Sequence, residues 1–180
     1  MAKIHAMIDI ETLGKEPGSV ILTIGGVKFD PNDPTREPFG EFYYRFDVDS
    51  QLEKGRETNE DTIAWWGTQD PAVMEEALGE DGRTSVPEVL AALNKWLVGT
   101  DNVWAHGIVF DIVLMESLYK DFDMKYPWPF WKVRDSRTLF GILPKDPRKS
   151  KSFDAHNALE DARIQAVCVQ EAIQELGVTL

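Results

Sequence analysis

The sequence predicts an α/β or α+β fold in which helices flank a sheet of mixed strand directions. Three strand-like segments follow one another at the front of the chain and are joined by turn-rich loops, which favours an antiparallel meander. Strand-like and helical segments then alternate along the second half. The last segment has the apolar spacing of a long helix. A meander followed by strand-helix alternation gives a mixed sheet.

The front half contains three predicted strands and one helical region. The first strand covers residues 6–10 and precedes a Gly/Pro loop, and the second covers residues 20–30 and ends at "PNDPTREP". The third strand is "FGEFYYRFDVD". A helical region follows in "NEDTIAWWGTQDPAVMEEAL", with Asn59 or Asp61 as its candidate N-cap.

The second half alternates between helices and strands. The segment "SVPEVLAALNKWLVG" predicts a helix capped by Ser85, with Pro87 in its first turn and Gly99 at its end. The last helix is expected from about Asn157 to Leu176. Between them the sequence gives a short buried strand in "NVWAHG", a helix in "FDIVLMESLYKDF", a strand leading into a helix in "WPFWKVRDSRTLFGIL", and a polar loop at 144–152.

Length and charge limit the possible functions. A chain of 180 residues without an internal repeat or long linker predicts a single domain over residues 1–180. No apolar run approaches the roughly 20 residues of a membrane span, and the first residues lack a secretory signal, so we expect a cytoplasmic protein. The net charge of −12 argues against nucleic-acid binding through a broad basic surface. A polyanionic substrate would have to be bound locally, at its end or through metal ions.

Two carboxylates share one face of the first strand. In "MIDIETLG", alternation places Asp9 and Glu11 on one side and Ile8 and Ile10 on the other. Carboxylates about 6 to 7 Å apart along an apolar strand repel each other unless a cation lies between them. The alternative is a solvated strand face, and this motif alone does not decide between them.

Two further acids and a histidine lie at boundaries of predicted elements. Asp111 follows a buried strand at its junction with a helix, where α/β sheets present side chains to ligands. Asp161 lies about one turn inside the last helix, and His156 immediately precedes that helix. Each acid also has a structural alternative, since Asp111 could be an N-cap and Asp161 a first-turn acid favoured by the helix dipole. The combination of four acids and a histidine favours a catalytic site.

These motifs resemble those of a known family. "DIE" on the first strand, "FD" after a short strand and "HNALED" at the start of the last helix look like the three motifs of the DEDDh, or DnaQ-like, 3′-5′ exonuclease superfamily. The chain is most similar to a branch with exodeoxyribonuclease VIII-type sequences, the bacteriophage exonuclease A group and a mycobacterial exoribonuclease-like domain. Many superfamily members have N-x-x-F-D at the second motif, whereas Gly107 stands in the Asn position here.

The resemblance implies a ribonuclease H-like α/β fold, with a mixed five-stranded sheet whose first three strands form the meander. It implies hydrolysis of phosphodiester bonds from the 3′ end of single-stranded DNA or RNA, releasing nucleoside 5′-monophosphates, in a bacterial or phage-infected cell. Two divalent ions, Mg²⁺ or Mn²⁺, would be held by the four acids. The implied metal ligands are Asp9, Glu11, Asp111 and Asp161, and the implied general base is His156.

Substrate contacts are expected near the first motif. By family likeness Thr12 and Leu13 would touch the terminal nucleotide, with Leu13 wedged against its base. Trp65 and Trp66 diverge by about 100° on a helix, so one is expected in the core and the other could stack on a base. We assign the stacking role to Trp66.

Other polar residues have less specific interpretations. In "RDSRTL", Arg134, Asp135 and Arg137 suggest a structural ion network, with phosphate binding as the alternative. The basic run at 147–152 is either a solvated loop or a guide for the strand. His106 is interpreted as a packing or supporting residue, not a second base.

Two other functions and an oligomeric state stay open at this point. The chain could be a catalytically weak module that binds nucleic-acid ends, or a phosphohydrolase acting on nucleotides. A homodimer is possible, because four apolar residues could belong either to the core or to an interface. They are Val103, Trp128, Phe130 and Trp131.

Overall fold

A computed structural model describes residues 3–151 and 156–180. It contains a six-stranded sheet in the order β4-β3-β2-β1-β5-β6. The strands are β1 His5–Thr12, β2 Ile21–Phe29, β3 Phe39–Phe46, β4 Arg83–Thr84, β5 Asn102–Ala105 and β6 Val133–Asp135. β1, β2 and β3 pair antiparallel, whereas β1 with β5, β5 with β6 and β3 with β4 pair parallel. The predicted mixed sheet and meander are confirmed, and the sixth strand is the two-residue β4, which is too short to show a sequence period.

Seven α-helices in the described part of the chain surround the sheet. They are α1 Asp49–Glu53, α2 Glu60–Trp66, α3 Pro71–Leu78, α4 Val86–Trp96, α5 Asp111–Asp121, α6 Ser136–Gly141 and α7 Ala158–Leu176. Short 3₁₀ helices occupy Phe130–Lys132 and Pro147–Ser150. Asn59 is the N-cap of α2, where its side chain accepts the Thr62 N–H. Within the described residues, no helix combines the length and apolar character needed to cross a bilayer.

The two faces of β1 pack against different helices. Ala6, Ile8 and Ile10 lie in a core cluster with residues of α4 and α5. Met7 lies in a second cluster, formed with α7. Because side chains alternate along a strand, Asp9 and Glu11 point to the same side as Met7, towards α7.

Gly25 allows α7 to approach the sheet at the level of the acids. Gly25 on β2 pairs directly with Asp9 on β1. A Cβ atom at position 25 would lie 2.2 Å from the carbonyl carbon of Ala158 and from the backbone nitrogen of Leu159. The first turn of α7 therefore rests on the bare backbone of β2, and this contact sets how close Asp161 comes to β1.

The four residues left open between core and interface divide evenly. Val103 and Trp128 are each 3% exposed and belong to the core. Phe130 and Trp131 are 82% and 63% exposed. They immediately precede β6, which is an edge strand of the sheet. The interface alternative is thus restricted to these two aromatic residues.

Candidate active site

Three of the four predicted acids form one compact cluster. Asp9 and Glu11 come from β1, and Asp161 comes from the first turns of α7. Each offers a carboxylate oxygen, and these oxygens all lie within 4.8 Å of one another. Residues separated by some 150 positions in the chain are brought together because α7 lies across the acidic face of β1.

Asp111 reaches the same region from the other side of β1. It is the first residue of α5, is 3% exposed, and its Oδ1 accepts the backbone N–H of Ile10 at 3.3 Å. The pairing of β1 with β5 runs only to Met7 and Trp104, so β1 has no strand neighbour on that side at Ile10. Asp111 thus occupies the open edge of β1, between the two acids of the first motif.

The four carboxyls strongly disfavour being ionised together. Burial raises the pKa of Asp9 well above its usual range, and the charges of Asp111, Glu11 and Asp161 raise it further. Burial, then Asp161 and Asp111, raises the pKa of Glu11 to about 8. Burial raises the pKa of Asp111 to about 7, and it also raises the pKa of Asp161. A site with this repulsion favours a bound cation.

Gln165 supports the cluster and was not predicted from the sequence. It is 5% exposed, and its Nε2 donates to Asp9 Oδ1 at 2.9 Å. Its Oε1 is buried and has no partner within the described residues. The available signal was its position four residues after Asp161, which puts both side chains on one face of α7.

The donor set fits a hard divalent cation. All four predicted ligands are carboxylates, the ligand type that Mg²⁺ and Mn²⁺ prefer. The orphaned oxygen of Gln165 beside Asp9 provides an acceptor for a water molecule at the edge of such a site. The cluster can therefore hold a metal ion.

His156 lies next to these acids. Its backbone N–H donates to Asp161 Oδ2 at 2.8 Å, and its φ of 72° is in the left-handed region. Its ring meets Trp65 edge to face, with centroids 4.9 Å apart. The histidine of the third motif is thus fixed at the rim of the carboxylate cluster. The end of the basic run, Ser152, lies outside the described residues, as do residues 153–155.

A cavity of about 640 Å³ opens beside the cluster. Glu11, Thr12, Trp65, Phe110 and Arg137 are among its lining residues. Leu13 is not among them and packs against a small core cluster instead. The cavity offers an apolar wall, from Trp65 and Phe110, next to a carboxylate of the cluster.

The assignment of the two tryptophans was wrong. Trp66 is 1% exposed, and its indole N–H donates to the carbonyl of Thr12 at 2.9 Å, so it has no free face for stacking. Trp65 is 40% exposed. Trp66 also borders the cavity but is buried there and fixes the backbone just after the two acids, whereas Trp65 is the tryptophan with an exposed ring on the cavity wall.

The "RDSRTL" segment does not form the expected ion network. Asp135 caps α6 by accepting the Arg137 N–H at 2.8 Å. Arg134 donates to the carbonyls of Trp131 and Val133, and Arg137 donates to the carbonyl of His106 at 3.2 Å. None of the ion pairs in residues 3–151 and 156–180 includes either arginine.

His106 has a packing role, as expected. Its Nδ1 lies 3.0 Å from the hydroxyl of Ser136, and its ring stacks on Phe140 with centroids 5.5 Å apart. Burial, with the charges of Arg148 and Arg137, lowers the pKa of His106 to about 4. A histidine that stays neutral and packed in this way supports the turn before Asp111.

The metal-free site is expected to destabilise the fold as pH rises. Glu11 and Asp111 bind protons more tightly folded than unfolded, so the free energy of unfolding falls between the unfolded and folded pKa values. The buried histidines His5 and His106, whose pKa values are lowered to about 4, act oppositely but only below their usual 6.5. Between about pH 6.5 and 8 we expect a loss of about 1.4 kcal/mol per pH unit for each carboxyl that is still protonated.

Urea unfolding in a chelator across this pH range would measure that loss, and Mg²⁺ or Mn²⁺ should reverse it. A stability that rises with pH over the same interval in the metal-free protein would contradict the expectation.

The chain matches a family model and a phage protein that are both described as exonucleases. Residues 4–173 match the family model described as the 3′-5′ exoribonuclease Rv2179c-like domain. The exodeoxyribonuclease of Enterobacteria phage T4 is 26% identical over an alignment covering 93% of this chain and 88% of that protein.

Two solved nuclease structures share the fold. Cell-death related nuclease 4 superimposes with a TM-score of 0.70 at 14% identity, covering 98% of this chain and 65% of its own. The nuclease domain of 3′hExo, a DEDDh family member bound to rAMP, superimposes with a TM-score of 0.63 at 16% identity, covering 97% and 93%. The chain spans just under two thirds of the first of these nucleases. It belongs to the Rv2179c-like 3′-5′ exonuclease family, within the ribonuclease H-like fold.

Proposed function

We propose that the protein is a metal-dependent 3′-5′ exonuclease that shortens single-stranded nucleic acid and releases nucleoside 5′-monophosphates. The observation that carries this proposal is the convergence of Asp9, Glu11 and Asp161 within 4.8 Å, with Asp111 on the adjoining edge of β1. Carboxylates from three separate elements are brought together, three of them half-buried and Asp111 buried, at a cost that a bound cation would offset.

We infer two ions, Mg²⁺ or Mn²⁺, held by these four acids. When bound, such ions activate water and stabilise the charge of a phosphodiester transition state. The protein would hold the ligands of these ions in position: the Gln165 side chain orients Asp9, and the backbone N–H of Ile10 orients Asp111. Positive charge brought by the ions would let an acidic protein bind the end of a polyanion.

His156 is proposed as the general base that removes the proton of the attacking water. An imidazole suits this role near neutral pH. The hydrogen bond from its backbone to Asp161 keeps it beside a metal ligand, and the edge of Trp65 limits the ring on one side. Thr12 lines the cavity next to Glu11 and is proposed to contact the terminal nucleotide. Leu13 does not line the cavity, and it is proposed as a substrate contact only because it follows Thr12 in the chain.

Trp65 is proposed to stack on the terminal base in place of Trp66. Its ring is partly exposed, lies on the cavity wall and borders His156. Base stacking contributes about 1 to 3 kcal/mol per base, so Trp65→Ala should raise KM by about 5- to 150-fold. Steady-state kinetics on short oligonucleotides would measure this change. The exposed Trp131 provides the control, because Trp131→Ala removes an aromatic ring outside the cavity and should leave KM unchanged. Equal effects of the two substitutions would exclude a specific stacking role.

The test of the proposed function uses 5′-end-labelled single-stranded DNA and RNA with Mg²⁺ or Mn²⁺. Stepwise shortening from the 3′ end with release of nucleoside 5′-monophosphates, lost in Glu11→Gln, is the expected result. The two nucleic acids are compared because the family description names an exoribonuclease and the phage relative is an exodeoxyribonuclease. Release of inorganic phosphate would point to a nucleotide phosphohydrolase, and binding without cleavage to an end-binding module.

A further inference from the structure

Arg137 is a cation on the cavity wall. Most of its N–H donors have no acceptor among the described residues. Its side chain is exposed and lines the cavity together with Glu11 and Phe110. Among the residues that the structure describes, its side chain makes one hydrogen bond, from Nη2 to the carbonyl of His106, and no ion pair. A guanidinium carries five N–H donors, so most of them remain available for a ligand.

The guanidinium lies against the backbone of a glycine. Gly107 has a φ of 111°, and a Cβ atom there would lie 3.4 Å from both Nε and Nη2 of Arg137. The Arg137 side chain therefore lies across bare backbone at the position where many superfamily members carry Asn. A side chain longer than that of alanine at position 107 would compete with the guanidinium for this space.

The backbone of Arg137 is fixed as well. Asp135 accepts its N–H and so anchors it in the first turn of α6, directly after β6. Lys15, another cation lining the cavity, lies in the loop after β1 on a flexible stem. Of these two cations, Arg137 is the one held by hydrogen bonds at both its backbone N–H and its guanidinium. A guanidinium also binds phosphate through two parallel hydrogen bonds, which an ammonium cannot do.

The cavity places this cation close to the acids, because Arg137 and Glu11 line it together. The ions proposed at the carboxylates would neutralise the phosphate that is hydrolysed. The next phosphate along the strand lies outside that cluster and, in a protein of net charge −12, needs a cation of its own.

We propose that Arg137 binds the non-bridging oxygens of the penultimate phosphodiester, the one on the 5′ side of the hydrolysed linkage. This inference rests on the proposed exonuclease function. Arg137 then sets the register of the strand, because a phosphate fixed one nucleotide upstream places the terminal linkage at the carboxylates.

The first test measures binding of a short 5′-labelled oligonucleotide by fluorescence anisotropy with Mg²⁺ present. Hydrolysis is suppressed by His156→Asn in every variant. Arg137→Ala should weaken binding by about 10- to 100-fold, and Arg137→Lys should lose less. Lys95→Ala is the matched control, since it removes one exposed positive charge on α4 and should leave the affinity nearly unchanged. If Arg137→Ala binds as well as this control, the proposal is wrong.

The second test replaces the penultimate linkage with a neutral methylphosphonate. The protein that keeps Arg137 should bind the neutral strand more weakly than the charged strand. The Arg137→Ala variant should bind both strands with the same affinity. If Arg137→Ala costs the same factor on both strands, the arginine does not bind that phosphate. Thermal unfolding checks that the variants are folded. If Arg137→Ala is not folded, Arg137→Lys is compared with the unmodified protein on the two strands instead.

The outcomes separate this inference from the function on which it rests. If the unmodified protein neither binds nor shortens a strand with either metal, the proposed function fails. If the unmodified protein and Lys95→Ala shorten the strand and Arg137→Ala does so with unchanged KM, only the role of Arg137 fails.

Discussion

Asp9→Asn is expected to lower the rate of 3′-end hydrolysis by about 10³-fold or more while making the metal-free protein more stable. Asparagine has the shape of aspartate and can still accept the hydrogen bond from Gln165. It lacks the charge that we propose binds the cation, and loss of metal-ion stabilisation is worth several kcal/mol in the transition state. The gain in stability arises because burial and three neighbouring acids raise the pKa of Asp9, so its ionised form is unfavourable.

The two effects are measured separately. Single-turnover rates with saturating Mg²⁺ report the loss of activity, and urea unfolding in a chelator near pH 8 reports the gain in stability. Glu53→Gln is the control, because this exposed residue of α1 carries the same charge outside the cavity. A rate within a few-fold of the unmodified protein would remove Asp9 from the site.

Loss of the imidazole at position 156 is expected to lower the rate by about 10²- to 10⁴-fold, the usual contribution of a general base. The φ of 72° decides which variants are informative, since alanine is strained there and glycine and asparagine are tolerated. His156→Gly keeps the backbone N–H that donates to Asp161 and leaves room for a free imidazole. Added imidazole should therefore restore part of the rate in this variant.

The same measurement on His106→Asn separates the two histidines. His106 packs on Phe140 and contacts Ser136, so its loss should change stability more than rate. If the rate of His156→Gly is close to that of the unmodified protein, or if imidazole restores nothing, another group accepts the proton.

The parts of the site carried by short sequence patterns were predictable. Alternation along β1 placed Asp9 and Glu11 on one face, and the strand-helix junction placed Asp111 where α/β sheets present side chains to ligands. The mixed sheet, its meander and the exonuclease family followed from the same segments and are confirmed. These features depend on local geometry and on motif order, both of which the sequence contains directly.

What failed depended on tertiary packing. Helical geometry shows that Trp65 and Trp66 point in different directions, but which ring is buried depends on how α2 docks on the segment after β1. Arg137 was expected to pair with an acid, but Asp135 is used as the cap of α6. The role of Gln165 required knowing that α7 crosses over Asp9.

The contact at Gly25 links the backbone to the choice of ion. Mg²⁺ demands near-ideal octahedral geometry at short distances, whereas Ca²⁺ accepts longer and more variable ones. A methyl group at position 25 would push the first turn of α7 outward and carry Asp161 away from Asp9 and Glu11. The opening between the carboxylates would then suit a larger cation, so a glycine that binds nothing itself would set the ionic radius accepted by the proposed metal site.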